Sequence, residues 1–482
     1  MADFGKYQKN SNLIGGQWVD ADSGNTIDVT NPATGELIGT VPNSGTDETN
    51  RAIAAATEAF KTFGRTDLNT RVKLARNLYT ALMDNVEPLA QLLTAEMGKP
   101  IAEARGEITI GANYVQWFAE EIRRTKGEII PSPTNDRKLL VSHHPVGVVA
   151  AITPWNFPSS MLARKLAPAL VAGCPVVCKP ATATPYSALA WGVLAEEAGY
   201  APGVVNILTG SARAIGGAIM ASPDVRKVTF TGSTEVGKTL IRQSADTVKK
   251  VSMELGGNAP FIVFQDADID AAVEGAMIAK YRNMGQTCVC TNRFYVHEDV
   301  HDAFLTKYTA AVAAMKLGNG AEDGVQQGPL IDMAGVEKVE EMIADAKSKG
   351  GKVVLGGGRS DLGGTFFEPT IVTEANADMS FARDEIFGPL SAIFKFTDED
   401  AVIAAANDTD FGLAAYAFTR DVGRIFKLTD QLDYGLIGIN SGLITLPEAP
   451  FGGLKESGLG KEGGSQGLRD YLEEKYAAIA GL

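Results

Sequence analysis

The chain has 482 residues, of which 45% are hydrophobic and 21% are charged, and its formal net charge is −14. This length exceeds what one hydrophobic core normally supports, so we expect two or three domains with globular composition rather than a disordered or coiled-coil chain. The acidic balance argues against nucleic acid or an anionic membrane as a partner, because both require a basic field on the protein.

The sequence predicts a protein that stays in the cytoplasm. No run of about 18 apolar residues is present, so we expect no membrane span. The N-terminal residues lack the charged-then-apolar pattern of a secretory signal. Four cysteines, two of them in Cys288-Val289-Cys290, do not make a disulfide framework, and reduced thiols are the simpler interpretation.

The first part of the chain is predicted to form short strands followed by long helices. Residues 12–40 favour strands around the turn Asn31–Gly35. Apolar residues recur every three or four positions over 46–64 and over 67–126, which indicates helices. Residues 127–142 return to extended, proline-punctuated chain.

From residue 146 apolar strands alternate with helices, which predicts an α/β fold. Strands are expected at 146–154, 174–180, 204–210 and 227–233, and Pro158 is expected in the first turn of a helix that reaches about residue 172. Such alternation implies a parallel sheet with both faces covered, and its ligands bind at the carboxyl ends of the strands. A second α/β region is expected from Leu255, with strands at 260–264, 293–297 and 351–357.

The last thirty residues combine a glycine-rich loop at 450–460 with an extended tail. A tail that changes from polar to apolar often pairs with the sheet edge of a neighbouring subunit. We therefore expect an oligomer.

The segment Phe230–Gly237 joins a predicted strand to a predicted helix. Gly232 and Gly237 would let backbone N–H groups approach a pyrophosphate at the helix N-terminus. Tight packing of the helix on the strand would explain the same glycines. Taken alone, the segment leaves both interpretations open.

Cys288 follows a helical pattern, so its thiol is expected just beyond a helix end. A cysteine there is either a buried packing residue or a nucleophile, and a nucleophile needs thiolate character and access. The four histidines stand at 143, 144, 297 and 301, and none has a context that pairs it with Cys288. A cysteine–histidine dyad is therefore disfavoured.

Two further residues are candidates for chemistry. Glu254 stands between apolar Met253 and Leu255 and precedes two glycines, so burial could tune its pKa for work as a base. Asn156 stands in a strand-to-helix turn, where its amide could meet a developing oxyanion or could cap the following helix.

Seven motifs, in this order and spacing, resemble the aldehyde dehydrogenase superfamily from about residue 12 to the C-terminus. They are WNFP (155–158), KPA (179–181), GST (232–234), ELGG (254–257), GQTC (285–288), EIFGP (385–389) and PFGG (450–453). The resemblance implies a Rossmann-like cofactor domain, an α/β catalytic domain and a small β oligomerisation domain. The corresponding residues are 1–125 with 146–254, then 255–448, and finally 126–145 with 449–482.

The resemblance also implies a mechanism. Cys288 would attack the aldehyde, and Asn156 with the Cys288 backbone N–H would hold the oxyanion. Hydride transfer to a nicotinamide would leave a thioester, which water activated by Glu254 would hydrolyse. The residues expected to bind the cofactor are Trp155, Lys179, Ala181, Thr182, Gly232, Ser233, Leu255 and Glu385, and no metal is expected.

Within the superfamily the chain is similar to the succinate-semialdehyde dehydrogenases, through residues 163–165, 281–290 and 441–463. That branch binds the substrate carboxylate through two arginines and a hydroxyl. The matching residues here are Arg164, Arg282 and Thr445, and the branch commonly has serine at the position of Thr445. Either arginine could instead be a member of an ion pair on a helix surface. Cys290 matches a cysteine that in some members forms a disulfide with the nucleophile, and it could equally be a packing residue.

The cofactor is predicted to be NADP, with NAD as a slower substitute. NAD-preferring relatives often carry an acid three residues after the lysine, where this chain has Thr182. Lys179 adds positive charge, and Arg213 is a further candidate for contact with the 2′-phosphate. The expected partners are a small anionic aldehyde and further copies of the chain, as a homodimer or homotetramer.

Three rival interpretations stay open. A dehydrogenase for glutarate or 2-oxoglutarate semialdehyde would use the same arginines. A CoA-acylating enzyme would lack the water-activating Glu254. A non-catalytic binding protein on the same fold would be free to lose Cys288, Glu254 or Asn156, and all three are present.

Overall fold

The computed structural model describes residues 4–481, and the chain begins with short strands and four helices. The strands are β1 (Asn12–Ile14), β2 (Gln17–Val19), β3 (Thr26–Thr30) and β4 (Leu37–Pro42). The helices are α1 (Thr46–Phe63), α2 (Leu68–Asp84), α3 (Val86–Met97) and α4 (Ile101–Glu121). The helical stretch predicted over 67–126 is thus three helices. Gly98, with a left-handed φ of 89°, ends α3, and Pro100 directly precedes α4.

A parallel α/β unit follows two strands, β5 (Glu128–Ile130) and β6 (Arg137–Pro145). Its strands are β7 (Val148–Ile152), β8 (Val176–Lys179), β9 (Val205–Ile207), β10 (Val225–Thr231) and β11 (Lys250–Glu254). The helices between them are α5 (Ser160–Ala172), α6 (Tyr186–Ala198), α7 (Ala212–Ala221) and α8 (Thr234–Ser244). The four predicted strands and the parallel sheet are confirmed. Pro158, however, lies two residues before α5 rather than in its first turn.

The order of strands in this first sheet locates a crevice. The sheet runs β2-β1-β9-β8-β7-β10-β11-β21, with β9 through β11 parallel. The chain moves outward from β7 to β8 and β9 on one side, and returns to β10 and β11 on the other. The boundary between β7 and β10 is therefore a topological switch point, where open α/β sheets bind ligands. Asn156 follows β7 and Gly232 follows β10 at this edge.

The second α/β unit begins at residue 259, close to the predicted Leu255. Its strands are β12 (Ala259–Val263), β13 (Thr291–His297), β14 (Lys352–Leu355), β15 (Thr370–Thr373), β16 (Leu390–Phe396), β17 (Phe411–Gly412), β18 (Ala414–Phe418) and β19 (Leu436–Ile439). Its helices are α9 (Ile269–Tyr281), α10 (Glu298–Ala313), α11 (Met333–Ser348), α12 (Glu399–Asn407) and α13 (Val422–Gln431). Seven of the strands form one sheet in the order β14-β15-β16-β13-β12-β18-β19.

The C-terminal segment joins the two units. Its elements are β20 (Leu454–Lys455), β21 (Gly458–Leu459), α14 (Gly464–Arg469) and β22 (Leu472–Ala480). Strand β20 pairs with β17 of the second unit, and β21 pairs with β11 of the first, beside Glu254. The glycine-rich loop thus crosses from one unit to the other at the end of β11.

The extended tail finds a partner strand within its own chain. Strand β22 pairs antiparallel with β6 over its whole length, from Leu472 opposite Pro145 to Ala480 opposite Arg137. This pairing occupies one side of β22, and the pairing of the tail with a neighbouring subunit's sheet edge stays a prediction. The three-stranded sheet β22-β6-β5 leaves β22 as an edge strand within residues 4–481. Over the same residues, no helix combines the length and the apolar character needed to cross a membrane.

Candidate active site

Cys288 lies where two cavities meet. The first, the arginine cavity, has a volume of about 300 Å³ and is lined by Arg164, Arg282 and Thr445 among others. The second, the glycine cleft, has a volume of about 350 Å³ and lies at the switch point of the first sheet. Cys288 borders both. One thiol can therefore face a molecule in each cavity at the same time.

The nucleophile loop, residues 282–290, owes its shape to an unusual backbone. Helix α9 ends at Tyr281, and Asn283 and Met284 then adopt left-handed φ values of 55° and 56°. Such values cost non-glycine residues on the order of 1–3 kcal/mol each and persist only where the surroundings enforce them. Two contacts hold the loop, because Glu103 Oε2 accepts from the Asn283 N–H at 2.8 Å and the Tyr416 hydroxyl donates to Val289 O at 2.8 Å.

The close approach of Gly257 brings the end of the β11 segment against Cys288. A Cβ added to Gly257 would lie 2.2 Å from the Cys288 carbonyl oxygen, so no larger residue could occupy the position without moving the loop. Steric exclusion of any larger side chain therefore explains the second glycine of the ELGG motif.

The Cys288 thiol is half-buried and protonated at rest. Burial, with a further contribution from the Glu385 carboxylate, raises the pKa of Cys288 to about 12, although Arg164 and Arg282 act in the opposite direction. Since the thiolate is the nucleophilic form, attack on a carbonyl carbon requires a proton acceptor near the sulfur.

Asn156 is fixed against the nucleophile loop. Its Nδ2 donates to Gln286 O at 2.9 Å, and its Oδ1 is buried without a hydrogen-bond partner among the described residues. The alternative that Asn156 caps α5 is wrong. Glu107 takes that role, because its Oε1 accepts from the N–H groups of Ser159 at 2.9 Å and Ser160 at 3.1 Å.

Glu254 is buried at the end of β11, and neither of its carboxylate oxygens has a hydrogen-bond partner within residues 4–481. Burial and then the nearby Glu462 carboxylate raise the pKa of Glu254 well above its ordinary value. The carboxyl can therefore hold a proton at a pH where an exposed glutamate has lost it.

Lys165 and Glu462 are charged residues of this site whose roles sequence reasoning missed. Lys165 is fully buried and its Nζ donates to Glu462 Oε1 and to Thr231 Oγ1, the latter at 2.7 Å. Lys165 directly follows Arg164 in a helix, but its partner lies 297 positions away. The only signal in the sequence was a pair of adjacent basic residues, Arg164 and Lys165, within a largely apolar helix.

The arginine cavity presents two guanidinium groups to an apolar space. Arg164 is buried 4.1 Å from the Phe451 ring centre, and its Nε and Nη1 have no hydrogen-bond partner in the described chain. Arg282 Nε is likewise buried and unpaired, and its guanidinium lies 5.6 Å from the Phe157 ring centre. The apolar walls are Ile110, Phe157, Met161, Leu443, Leu446 and Phe451.

The interpretation of these arginines as surface ion-pair members is wrong. The carboxylate nearest Arg164 is Glu462 at 3.9 Å, and that carboxylate already binds Lys165. Arg282 forms no ion pair within 4.0 Å in residues 4–481. Thr445 lines the same cavity, as do the acidic residues Glu103 and Glu107, which the sequence did not single out.

The glycine cleft contains five of the residues predicted to bind a cofactor: Trp155, Gly232, Ser233, Leu255 and Glu385. Glu385 Oε1 accepts from the Gly257 N–H at 3.0 Å, and burial raises its pKa to about 7. The two glycines of the 230–237 segment differ. Gly232 lines the cleft, whereas a Cβ on Gly237 would lie 2.4 Å from Leu255 Cδ2, so Gly237 serves helix packing.

The remaining predicted cofactor residues lie outside the cleft lining, at the end of β8. Lys179 is buried and donates to Pro180 O at 2.7 Å, and burial lowers its pKa to about 8. Ala181 is half-buried, and Thr182 is exposed. Arg213 is also exposed, and it lines a separate groove with Thr46 and Ser211.

Cys290 is buried and turned away from the two cavities. Its Sγ donates weakly to Lys280 O at 3.4 Å and to Thr291 O at 3.6 Å, and all four cysteines are unbonded. Packing thus accounts for its position here, and the disulfide with Cys288 stays a prediction. No histidine borders either cavity, and residues 4–481 contain no group of three metal-ligating side chains.

Comparisons with known proteins identify the family and its named relatives. The model of the aldehyde dehydrogenase family matches residues 18–477. A glutarate-semialdehyde dehydrogenase of Pseudomonas aeruginosa is 55% identical over 97% of each chain, and an NADP(+)-dependent succinate-semialdehyde dehydrogenase of Escherichia coli is 52% identical over 97% of each. The crystal structure of a succinate-semialdehyde dehydrogenase from Burkholderia pseudomallei is 52% identical, with a TM-score of 0.98 over 100% of both chains.

Proposed function

The chain belongs to the aldehyde dehydrogenase family, and from that premise we propose that it oxidises succinate semialdehyde to succinate with NADP. The observation that carries the substrate is the pair of arginines in a largely apolar cavity beside Cys288, where Arg164 Nε and Nη1 and Arg282 Nε are buried without hydrogen-bond partners in the described chain. Such groups need an anion, and a carboxylate can bind a guanidinium through two parallel hydrogen bonds. The aldehyde end of the same molecule would then lie at the thiol.

The proposed attack step uses two residues around the carbonyl group, Cys288 and Asn156. Cys288 Sγ bonds to the aldehyde carbon, and its proton passes to a base in the cavity. The Asn156 amide and the Cys288 backbone N–H donate to the oxygen, which becomes an oxyanion. In the resting site the Asn156 amide already donates to Gln286 O at 2.9 Å, so its position next to the loop is set before substrate arrives.

The residues of the glycine cleft suit a nicotinamide cofactor. Gly232 leaves the cleft open at the switch point, and the Glu385 carboxylate would accept from a ribose hydroxyl there. When bound, NADP supplies the acceptor for the hydride that leaves the former aldehyde carbon. Cys288 then carries a thioester.

Glu254 completes the cycle as the base for hydrolysis. Its unpaired oxygens are free to accept a proton from water, which attacks the thioester and releases the carboxylic acid and the thiol. Lys165 and Glu462 form a buried ion pair nearby. Glu462 raises the pKa of Glu254, and Lys165 lowers it.

The carboxylate of the substrate would be held by Arg164, Arg282 and the Thr445 hydroxyl. These residues line one cavity, with apolar walls that suit a short methylene chain. Hydrogen bonds to charged groups contribute about 1.5–3 kcal/mol each, so two guanidinium groups would offset the repulsion of an anion by an acidic protein.

NADP is favoured because no carboxylate stands at position 182. An exposed Thr182 hydroxyl can donate to a 2′-phosphate, and Lys179 at the end of β8 would add a positive charge when it is protonated. The similar Escherichia coli enzyme is named for NADP(+). Arg213, which is exposed, would make a further contact with the 2′-phosphate. An unchanged NADP affinity in Arg213→Ala would remove it.

Glutarate semialdehyde is the second candidate substrate, because the similar Pseudomonas aeruginosa protein is named for it. It is longer by one methylene, and pockets discriminate one methylene by only about 1–3 kcal/mol. 2-Oxoglutarate semialdehyde belongs to the same class of anionic aldehyde. Both would use the same arginines.

We place the enzyme in the cytoplasm as a homodimer or homotetramer. The division into cofactor, catalytic and oligomerisation segments is kept as predicted, with 126–145 and 449–482 as the oligomerisation segments. In support, the three-stranded sheet of β5, β6 and β22 exposes Ile129, Ile130, Tyr476 and Ile479.

The test is steady-state kinetics of the purified enzyme on succinate and glutarate semialdehydes, with neutral butanal as the control, each with NADP and with NAD. We expect kcat/KM to be highest for succinate semialdehyde with NADP. Equal or higher kcat/KM on butanal would overturn the anionic substrate. A preference for NAD would overturn the role of Thr182.

A further inference from the structure

Lys99 is a fully buried lysine in the connection between α3 and α4 that lies next to the oxyanion-binding turn. Its Nζ donates to Glu107 Oε2 at 2.5 Å and to the backbone oxygen of Asn156 at 2.7 Å. The same ammonium lies 3.9 Å from the Phe157 ring centre. Burying a lysine charge is costly unless it is paired and hydrogen-bonded, so these contacts determine where Lys99 lies.

The Asn156 backbone oxygen accepts hydrogen bonds from two separate segments of the chain. It accepts from Lys99 Nζ and also from Asn283 Nδ2 at 2.9 Å. Asn283 Nδ2 also contacts Gln286 O at 3.1 Å, the same oxygen that accepts from the Asn156 amide. The backbone and the side chain of Asn156 are thus both tied to the nucleophile loop.

The partners of Lys99 extend this network to both neighbouring elements. Glu107 binds the N–H groups of Ser159 and Ser160 with its other oxygen, which fixes the start of α5 relative to α4. On the same face of α4, Glu103 holds the Asn283 N–H at 2.8 Å. Lys99 therefore connects helix α4, the turn that bears Asn156 and the nucleophile loop.

We propose that Lys99 is a positioning residue that holds the Asn156 turn against the nucleophile loop in the geometry needed for attack by Cys288. This inference rests on the proposed function, since it takes the Asn156 amide as the donor to the oxyanion. Lys99 acts through Asn156 and does not itself touch the aldehyde. Without the ammonium, Asn156 O keeps only the Asn283 contact, and Glu107 keeps no cation.

The expected consequence is a slower first chemical step. Displacement of a catalytic donor by about 1 Å can cost on the order of 100-fold in rate. We therefore expect Lys99→Met to slow the single-turnover formation of NADPH about 10- to 100-fold at saturating aldehyde, where substrate affinity does not enter.

The experiment is a double-mutant cycle of Lys99→Met and Asn156→Ala, read by single-turnover NADPH formation on succinate semialdehyde. If Lys99 acts through Asn156, Lys99→Met has no further effect in the Asn156→Ala background. The matched control is Lys227→Met, which removes another buried lysine that contacts Ser252 and no residue of the Asn156 turn. It is expected to keep the wild-type rate.

Two outcomes would separate a failure of the Lys99 role from a failure of the Asn156 role. A lowered rate in Asn156→Ala together with an undiminished further loss from Lys99→Met would overturn the positioning role alone. A full rate in Asn156→Ala would overturn the oxyanion assignment of the proposed function, and this inference with it.

Glu107→Gln provides a second variant should Lys99→Met fail to fold. The amide oxygen can still accept from the N–H groups of Ser159 and Ser160, whereas the charge that holds Lys99 is lost. We expect Glu107→Gln to lower the single-turnover rate less than Lys99→Met does, and to have no effect in the Asn156→Ala background. A loss of equal size in both backgrounds would contradict the proposal.

Discussion

Cys288 is both the proposed nucleophile and a residue whose surroundings keep its thiol neutral. Burial and the Glu385 carboxylate raise its pKa to about 12, so only a small fraction is thiolate at neutral pH. Two guanidinium groups in the adjoining cavity favour the thiolate. A resting thiol that gains its charge only as substrate and base come together is protected from other electrophiles and oxidants.

At the same scale, Glu254 gives a prediction about pH. Because its pKa is raised well above 4.5, the carboxyl is protonated at low pH and becomes a base only as the pH rises. We expect the rate of thioester hydrolysis to increase with pH through that raised pKa. In Glu254→Gln the first turnover of NADPH should still form, whereas later turnovers should slow about 100-fold or more and lose the pH dependence.

The measurement is a stopped-flow record of NADPH absorbance over several pH values. Glu462→Gln is the informative comparison, since removing that carboxylate should lower the pKa of Glu254 and shift the profile to lower pH. Steady turnover by Glu254→Gln at the wild-type rate would refute the assignment of the base.

The residues proposed for catalysis could be singled out from the sequence, because each stands in a short motif at an element end. Cys288 and Asn156 follow α9 and β7 and border the glycine cleft, and Glu254 ends β11 close enough to raise the pKa of Cys288. Lys99, Lys165 and Glu462 could not be predicted, because their burial depends on partners far away in the chain. Lys99 and Asn156 are 57 positions apart, and Lys165 and Glu462 are 297 apart.

At the scale of elements, the loop after β8 is where cofactor choice is decided in this account. Lys179 ends the strand and Thr182 is exposed three residues later. We expect Thr182→Asp to raise the KM for NADP about 10-fold or more, because a carboxylate would repel the 2′-phosphate, and to leave the KM for NAD little changed. Steady-state kinetics with each cofactor measure this. Equal changes for both cofactors would contradict the role of Thr182.

Strands and helices were predicted correctly where the apolar periodicity was strong. The residues at which they begin and end depend on backbone conformation and on capping contacts. The long helical stretch after residue 67 divides at Gly98 because a left-handed residue there ends α3. Pro158 stays outside α5, since Glu107 from another helix supplies the cap to Ser159 and Ser160. A cap from a distant side chain leaves no trace in the local sequence.

At the scale of the whole molecule, the tail has one side paired within the chain and one side open to a further strand. An extended segment needs a sheet edge, and the sequence does not say whose edge is nearest. Here β22 takes β6 of its own chain and presents a further edge with exposed Tyr476 and Ile479. Exposed apolar side chains on an edge strand favour association.

This arrangement predicts how assembly can be weakened. A charge at Tyr476 on the exposed edge strand, as in Tyr476→Glu, should shift the enzyme to a smaller species, because burying an unpaired charge in an interface is costly. Size-exclusion chromatography with light scattering measures the mass, and Val422→Glu on an exposed helix start is the control. An unchanged mass in Tyr476→Glu would place the interface elsewhere.

Because the net charge is −14, binding of an anionic substrate depends on the arginine cavity. An acidic protein repels an anionic aldehyde at long range, although salt screens that field over about 8 Å under physiological conditions. Substrate selection must therefore come from local cations at the thiol. Arg164 and Arg282 are the cations that line the cavity.

The most direct measurement is the ratio of kcat/KM for succinate semialdehyde to that for butanal, in the wild type and in Arg282→Gln. Loss of a charged hydrogen-bonding partner, about 1.5–3 kcal/mol, predicts a fall of about 10- to 100-fold for the carboxylated aldehyde and little change for butanal. Arg105→Gln, an exposed arginine paired with Glu87, controls for the change in net charge and should leave the ratio unchanged. A ratio that Arg282→Gln leaves at the wild-type value would contradict the proposed substrate.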